Sequence, residues 1–373
     1  MFNLIRLIKI LFFLLPRIVF AEPYTTTAKQ AILVDGNTGQ ILYQYNANQP
    51  MHPSSMTKIM TTYLAFDEIK SGRISLNDKF PTSEKAWKMA GSRMFLNYGD
   101  MPTIDDLLKG IIVQSGNDAC VVMAEGLAGD ENLFVDKMNN IAKKVGMINT
   151  NFTNASGWPD PNNLSTAQDL SKLAIALIKN FPDLYSYHQI KQFSYGNISQ
   201  TNRNLLLGRI GVDGIKTGHT EAGGYGIVLS ALQNDRRLIA VINGLITDKE
   251  RAQEGERILN YGFKGFTRKI LVGTSDILAK PQVIYGESPQ VKLSIKNDME
   301  ILTKNSNEAI SCTIFYTNQV LAPIAMGQKL GTITCKVDNI YDSEFRSDLV
   351  ADSNVRRANF LQRLIQNIER LVL

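Results

Sequence analysis

Histidine is scarce: in 373 residues only His52, His188 and His219 occur. A Ser-His-Asp triad or a histidine-based metal centre has little to draw on, and no spacing among the three marks a ligand. Cysteine is as rare, with Cys120, Cys312 and Cys335 alone, which excludes a disulfide-dense scaffold. Cys312 and Cys335 each sit in a strand-like run, and either pair in an oxidising compartment or stay buried thiols. Cys120 has no neighbour that marks it as a nucleophile and reads as a structural thiol. No glutamate lies between Glu131 and Glu221. Excess charge is missing too. Of the net +5, Arg6, Lys9 and Arg17 carry three, and arginines near the C-terminus outnumber Asp348, Asp352 and Glu369 by the other two. The body between is neutral, which gives no argument for a nucleic-acid partner.

What is present begins with an export signal at residues 1–21. Arg6 and Lys9 precede the apolar run Ile10 to Leu15, and Val19-Phe20-Ala21 offers a cleavage site before Glu22. Pro16 and Arg17 stop that run short of a bilayer's thickness. The alternative is an uncleaved anchor. Hydrophobic content of 44% and charged content of 20% suit a globular chain, and the length allows two domains plus a tail.

Ala31 to Asp35 and Ile41 to Tyr43 flank a Gly36-Asn37-Thr38-Gly39 turn and read as a hairpin. From Ser54, the residues Met56, Ile59, Met60, Tyr63 and Leu64 fall at helical spacing, up to Ser71-Gly72. Thr103 and Asp106 resemble a capping box. Further helices are expected after Asn117, over Ala167 to Ile178, and over Glu250 to Tyr261. Val212 to Gly218, Tyr225 to Leu232 and Leu238 to Leu245 read as strands. The order predicts a mixed α/β domain over 22–265, with helices against an antiparallel sheet. Over 266–350, short β-branched runs (Gln282 to Tyr285, Gln290 to Ile295, Glu300 to Leu302, Ala309 to Tyr316) predict a small all-β domain.

The tail over 351–373 differs again. Leu361, Leu364, Ile365, Ile368, Leu371 and Val372 share one side of a helix, while Arg356, Asn359, Arg363, Gln366 and Arg370 share the other. Such a basic amphipathic helix suits an anionic membrane surface; docking on its own domain is the alternative.

Chemistry concentrates in three short motifs. Ser55-Met56-Thr57-Lys58 is the chain's one S-x-x-K, and residues three apart on a helix share a face, so the Lys58 amine can reach the Ser55 hydroxyl. A lysine base must be neutral, so burial and nearby cations such as Lys216 should depress its pKa. Read alone, Ser55 is equally a helix cap and Lys58 a solvated side chain. Ser115-Gly116-Asn117 lies between two apolar helical stretches. There Ser115 can relay a proton while Asn117 fixes lysine or substrate geometry; a cap is again the bland reading. The other S-x-N, Ser75-Leu76-Asn77, reads as a turn. Lys216-Thr217-Gly218, the one K-T-G, supplies a charge, a hydroxyl for a carboxylate, and room for close backbone approach on an edge strand. Together and in this order the three suit a serine acyl-enzyme with a lysine base.

With Gly91 to Leu96, Asn202 to Leu206 and Asp213 to Thr220, these motifs resemble the low-molecular-mass penicillin-binding proteins, the serine-type D-alanyl-D-alanine carboxypeptidases. The resemblance spans the whole chain. It implies removal of the terminal D-alanine from peptidoglycan pentapeptide stems, acylation by β-lactams, and no cofactor or metal. By the same resemblance Ser55 is the nucleophile, Lys58 the general base, and Ser115 and Asn117 the second motif. Lys216 and Thr217 bind the substrate carboxylate, and the amides of Ser55 and His219 form the oxyanion hole. Arg203 and Arg251 match basic positions near the carboxylate site, while Arg93 departs from the family's small or apolar residue. A class A β-lactamase would need a deacylating glutamate before the K-T-G strand, and that stretch has none. A DD-endopeptidase on the same scaffold is the other alternative.

Overall fold

The computed structural model describes residues 24–304, 309–338, 341 and 344–372. The export signal expected at 1–21 lies outside the described residues. β1 (Gln30–Asp35) and β2 (Ile41–Tyr45) form the expected hairpin. A helical block follows: α1 (Lys58–Lys70), α2 (Glu84–Trp87), α3 (Ile104–Lys109), α4 (Asn117–Ala128), α5 (Glu131–Lys144) and α6 (Ala167–Asn180). A small exposed hairpin, β3 (Gln192–Tyr195) and β4 (Ile198–Thr201), leads to β5 (Val212–Thr220), β6 (Gly224–Gln233) and β7 (Arg236–Leu245), and α7 (Asp248–Gly265) closes the unit.

The main sheet runs β2-β1-β7-β6-β5, antiparallel at every pairing, with β5 on the edge. Successive residues of a strand point to opposite faces, and here both faces are covered. Ile32, Val34, Val228, Ile239 and Val241 join the core built with α1, α4 and α6, whereas Ala31, Leu33, Leu229, Ala240 and Ile242 pack under Ile258 and Leu259 of α7. That explains why β1 reads as an unbroken apolar run: all six of its residues are buried. Truncating Leu33 to alanine would cost about 2–5 kcal/mol on this account.

The helix starts follow from local chemistry. Thr103 and Asp106 exchange side-chain and backbone hydrogen bonds as a capping box, and Ser83, Thr166 and Thr247 each accept one N-terminal amide. Sequence patterning missed α5, whose buried stripe is only Phe134, Met138 and Ala142, and it missed the β3–β4 hairpin, which has little to bury.

Beyond Phe266 come β8 (Thr267–Val272), β9 (Gln282–Ile284), β10 (Leu293–Ile295), β11 (Met299–Thr303), β12 (Ile310–Tyr316), β13 (Gln319–Leu321), β14 (Lys329–Val337) and β15 (Glu344–Ala351). Sheet β10-β15-β14-β12 surrounds its own core of Val283, Leu293, Ile333 and Leu349. Cys312 and Cys335 face each other across β12 and β14 and form a disulfide. The β8–β11 pair is the junction, where the Gln40 side chain bonds both backbone groups of Leu302.

The terminal helix α8 (Phe360–Val372) starts later than the tail's 351 boundary. Ala351 still closes β15, and Val355 pairs with Ile324 inside the β-domain core. The polar face of α8 is the docked one: Gln366 bonds Tyr285 and Gly286, and Asn367 accepts the Tyr285 hydroxyl. Leu361, Leu364, Ile365 and Ile368 are exposed. Among the described residues no helix is long and apolar enough to cross a membrane.

Candidate active site

Ser55 lies in a 3-10 turn, Ser54–Thr57, that runs straight into α1. Side chains three apart eclipse in a 3-10 turn, so the turn itself aligns Ser55 with Lys58. The Lys58 amine sits 2.9 Å from Ser55 Oγ, 2.8 Å from Asn117 Oδ1 and 2.6 Å from the Ser156 carbonyl. Lys58 has no solvent exposure. Burial is the main force lowering its pKa to about 8, and Arg203 pushes the same way, while Cys120 and Asp118 oppose.

A π-helical turn over Gly110–Gln114 ends at Ser115, whose φ of 60° is left-handed. Such turns and such backbone are unfavourable for an ordinary residue and gather at functional sites. The Ser115 hydroxyl is buried and takes no hydrogen bond from the protein. Asn117 opens α4 with its amide oxygen on Lys58 and its amide nitrogen on the Ala90 carbonyl. Asp118, also buried, accepts the Met94 and Leu96 amides, which fixes the 91–96 loop beside Ser115. The Cys120 thiol is buried and pushed up to about 12 by desolvation, so it stays protonated.

The third wall is the edge strand. A Cβ on Gly218 would come within 2.9 Å of the Pro53 carbonyl, so a glycine there lets β5 lie against the nucleophile turn. Lys216 is buried, and desolvation, then Lys58, Arg203 and Arg251, holds its pKa well below the usual lysine range. Thr217 is buried beside it. Arg203 donates to Ser92 Oγ at 2.8 Å, and Arg251 donates to the carbonyls of Gly218 and Arg203 and pairs with Asp248. His219 stacks on Tyr225 at 3.9 Å, and the Arg251 guanidinium lies 5.6 Å from the Tyr225 ring centroid. Two lysines and two arginines therefore converge on one cleft, an anion-attracting field.

The structure thus gathers Ser55, Lys58, Ser115, Asn117, Lys216, Thr217, Gly218, His219, Arg203 and Arg251 around one cleft. His188 takes no part: it is buried, its Nδ1 donates to the Ile215 carbonyl, and its pKa is lowered to about 4 by desolvation. Arg93 points over Phe95. Ser75 donates its amide and its hydroxyl to the Asp78 carboxylate in the expected turn. Sequence reasoning missed Ser156, because a carbonyl ligand leaves no mark on residue type, and Tyr225, which only pairing register places opposite His219. Among the described residues no group of three or more His, Cys, Asp or Glu could hold a metal ion.

Residues 18–246 match the family described as D-alanyl-D-alanine carboxypeptidase, and residues 266–357 match the C-terminal domain of penicillin-binding protein 5. The D-alanyl-D-alanine carboxypeptidase DacC of Escherichia coli is 35% identical over 92% of this chain and 88% of its own length. The solved penicillin binding protein 5 of Haemophilus influenzae superposes with a TM-score of 0.81 at 34% identity, covering 90% of this chain and 100% of that one. Penicillin-binding protein D2 of Listeria monocytogenes, solved in an ampicillin-bound form, superposes with a TM-score of 0.60 at 27% identity. It covers 65% of this chain and 100% of that one.

Proposed function

The chain belongs to the D-alanyl-D-alanine carboxypeptidase family, and from that premise we propose that Ser55 removes the terminal D-alanine from peptidoglycan stem peptides through an acyl-enzyme. The single observation that carries the assignment is the buried Lys58 amine 2.9 Å from Ser55 Oγ with its pKa lowered to about 8. An ordinary lysine would be protonated and useless as a base near neutrality.

As an ammonium, Lys58 donates to all three oxygens around it. Losing one proton leaves two donors, which Asn117 and Ser156 can hold, and aims the lone pair at Ser55. The neutral amine then takes the hydroxyl proton as Ser55 Oγ attacks the carbonyl between the two D-alanines. The amides of Ser55 and His219 face the developing oxyanion. Ser115, buried and without a protein partner, is placed to relay that proton from Lys58 to the departing D-alanine nitrogen, which returns Lys58 to its neutral form. Thr217 and the cations Lys216, Arg203 and Arg251 take the terminal carboxylate, which selects a free C-terminus. Water then hydrolyses the ester with Lys58 again as base. A β-lactam acylates Ser55 by the same first step, its ring nitrogen being the leaving group held in the ester.

The β-lactamase alternative lacks its deacylating glutamate in the stretch before Lys216. The test is labelling by a fluorescent penicillin: the wild type should label with one equivalent and Ser55→Ala should not. Equal labelling of both would remove Ser55 from the role. Release of D-alanine from a pentapeptide, set beside hydrolysis of cross-linked stems, then measures carboxypeptidase against endopeptidase action.

The outward apolar face and polar docking face of α8 support a peripheral site on the membrane's outer face, after export by residues 1–21. The β domain over 266–350 is then a spacer between that surface and the catalytic domain over 22–265.

A further inference from the structure

Asn154 stands outside all three motifs, yet its side chain organises the loop that supplies one ligand of Lys58. Asn154 Oδ1 accepts three successive amides, from Ser156 at 3.2 Å, Gly157 at 2.7 Å and Trp158 at 2.9 Å. The Ser156 hydroxyl donates to the same oxygen at 3.3 Å. Asn154 Nδ2 donates to the Trp158 carbonyl at 3.1 Å, which closes the turn. Asparagine suits this place because its short side chain reaches backbone groups a few residues on. Between them, Ala155 is held from two helices. Its amide donates to Glu131 of α5 at 3.0 Å, and its carbonyl accepts from Thr61 of α1 at 2.6 Å.

Peptide planarity carries this order to Lys58. The Ser156 carbonyl and the Gly157 amide belong to one trans peptide unit, so they point in opposite directions. Holding the Gly157 N–H on Asn154 therefore aims the Ser156 carbonyl, which meets the Lys58 amine at 2.6 Å. Hydrogen bonds at both ends of one peptide also polarise each other. Gly157 is where such a unit can turn over, since its φ is +75° and glycine takes either sign of φ readily. A Cβ there would fall 1.8 Å from the Ser54 carbonyl, so the loop packs directly on the nucleophile turn.

We propose that Asn154 is a positioning residue for the general base: it locks the Ser156 carbonyl on Lys58 and so keeps the lone pair of the neutral amine on Ser55. The neutral amine has two N–H donors, and Asn117 Oδ1 and the Ser156 carbonyl are the two acceptors around it besides Ser55. With the 156–157 peptide turned over, an N–H faces the amine instead. That N–H occupies the lone pair and leaves one lysine N–H with no acceptor but Ser55. The base is then present and misdirected. This rests on the acyl-enzyme reading of Ser55 and Lys58.

The test is the rate of acylation by benzylpenicillin against pH for the full chain, as wild type, Asn154→Ala and Asn154→Asp. The charged or titratable groups around Lys58 are Cys120 and Asp118 of α4, Lys216 of β5 and Arg203, with Glu131 of α5 on the loop, and both variants leave them in place. Asn154→Ala should lower the plateau rate roughly a hundredfold, the cost of a reacting group misplaced by about 1 Å. The rising limb of its profile should move to lower pH, because the ammonium form loses an acceptor. Asn154→Asp keeps an oxygen for the three amides, so its plateau should return close to wild type, while its negative charge moves the limb to higher pH. A merely loosened fold lowers the melting temperature and moves neither limb. Limbs that stay at the wild-type pH or move together overturn the proposal, as does an alanine variant acylated at the wild-type rate. If Asn154→Ala does not fold, the direction of the aspartate limb decides alone. A wild type that is not acylated at all sinks the acyl-enzyme reading and this role with it; an acylated wild type with unmoved limbs sinks the role alone.

Discussion

Between Gln30 and Gly265 the chain buries Lys58, Lys216, Arg251, Asp118, Glu254 and His188, whereas beyond Phe266 Thr303 is the one buried polar side chain among the described residues. Both regions close an apolar core under a sheet, so the hydrophobic effect alone explains each as a folded unit. Left-handed residues occur in both, Ser54 and Ser115 in the first and Tyr285 in the second, but among the described residues only the first holds a buried hydroxyl without a partner and amines stripped of solvent. Those features oppose stability and persist where chemistry needs them. The β domain carries its charges outside, as in the exposed Lys336–Glu344 pair. A lysine's meaning is therefore set by which region holds it.

The sharpest way to break that contrast is to replace one lysine from each side. Lys58→Met should slow acylation by benzylpenicillin about a thousandfold, the usual worth of a positioned base, while the protein still melts cooperatively. Lys336→Met should leave the acylation rate unchanged, since an exposed pair in a distant sheet touches nothing in the cleft. Similar losses for both would mean that Lys58 acts through the fold.

A smaller effect follows from pH. The Lys58 pKa is depressed from 10.5 to about 8, so the required neutral form grows as pH rises to that value. Acylation should fall about tenfold per unit below pH 8 and level off above it. The linkage has the same sign: between pH 8 and 10.5 the unfolded chain binds more protons than the folded one, so this group's contribution to stability falls as pH drops through that window. Arg203 lowers the same pKa, so Arg203→Ala should move the kinetic limb upward. A limb that stays at one pH in both proteins would assign it to another group.

Next comes a change confined to the β domain. Removing the Cys312–Cys335 bridge, which closes a separation of 23 residues, should cost that domain about 3 kcal/mol by the loop-entropy estimate. Penicillin acylation at Ser55 should not move. Calorimetry of the Cys312→Ala, Cys335→Ala double variant beside its labelling rate checks both halves, and a slower acylation would show that the two regions are coupled.

The motifs were legible because their physics is local. Ser55 and Lys58 need only three-residue spacing on a helical turn, and Thr103 with Asp106 needs only a cap. The resemblance supplied what spacing does not, namely that Arg203 and Arg251 reach the cleft from residues far apart in the chain. The Ser156 carbonyl escaped, because backbone ligands have no residue signature. The disulfide was left open, since alternation shows that Cys312 and Cys335 are in strands but not that they share a register. The tail was read too long for a related reason: Val355 and Ala358 continue an apolar pattern that the β domain takes up before α8 begins.

That boundary decides how the smallest change should be made. A cut at 354 would strip Val355 from the β-domain core and confuse loss of an anchor with loss of a fold. Ending the chain at Asn359 removes α8 alone. Phe360, Leu361, Leu364, Ile365 and Ile368 are all exposed, while Gln366 and Asn367 bond the β domain, so the proposed membrane contact would use the apolar face. Burying one aliphatic side chain is worth about 1.5–3 kcal/mol, so a few of them suffice for reversible binding. On the proposed reading, Arg356, Arg357 and Arg363 would add attraction to anionic lipid. The shortened protein should keep its melting temperature and acylation rate within error, yet leave the pellet when spun with vesicles containing anionic lipid. The full chain should stay bound, and more loosely as salt is raised. Equal sedimentation of both would return α8 to the alternative of a helix that merely packs on its own domain.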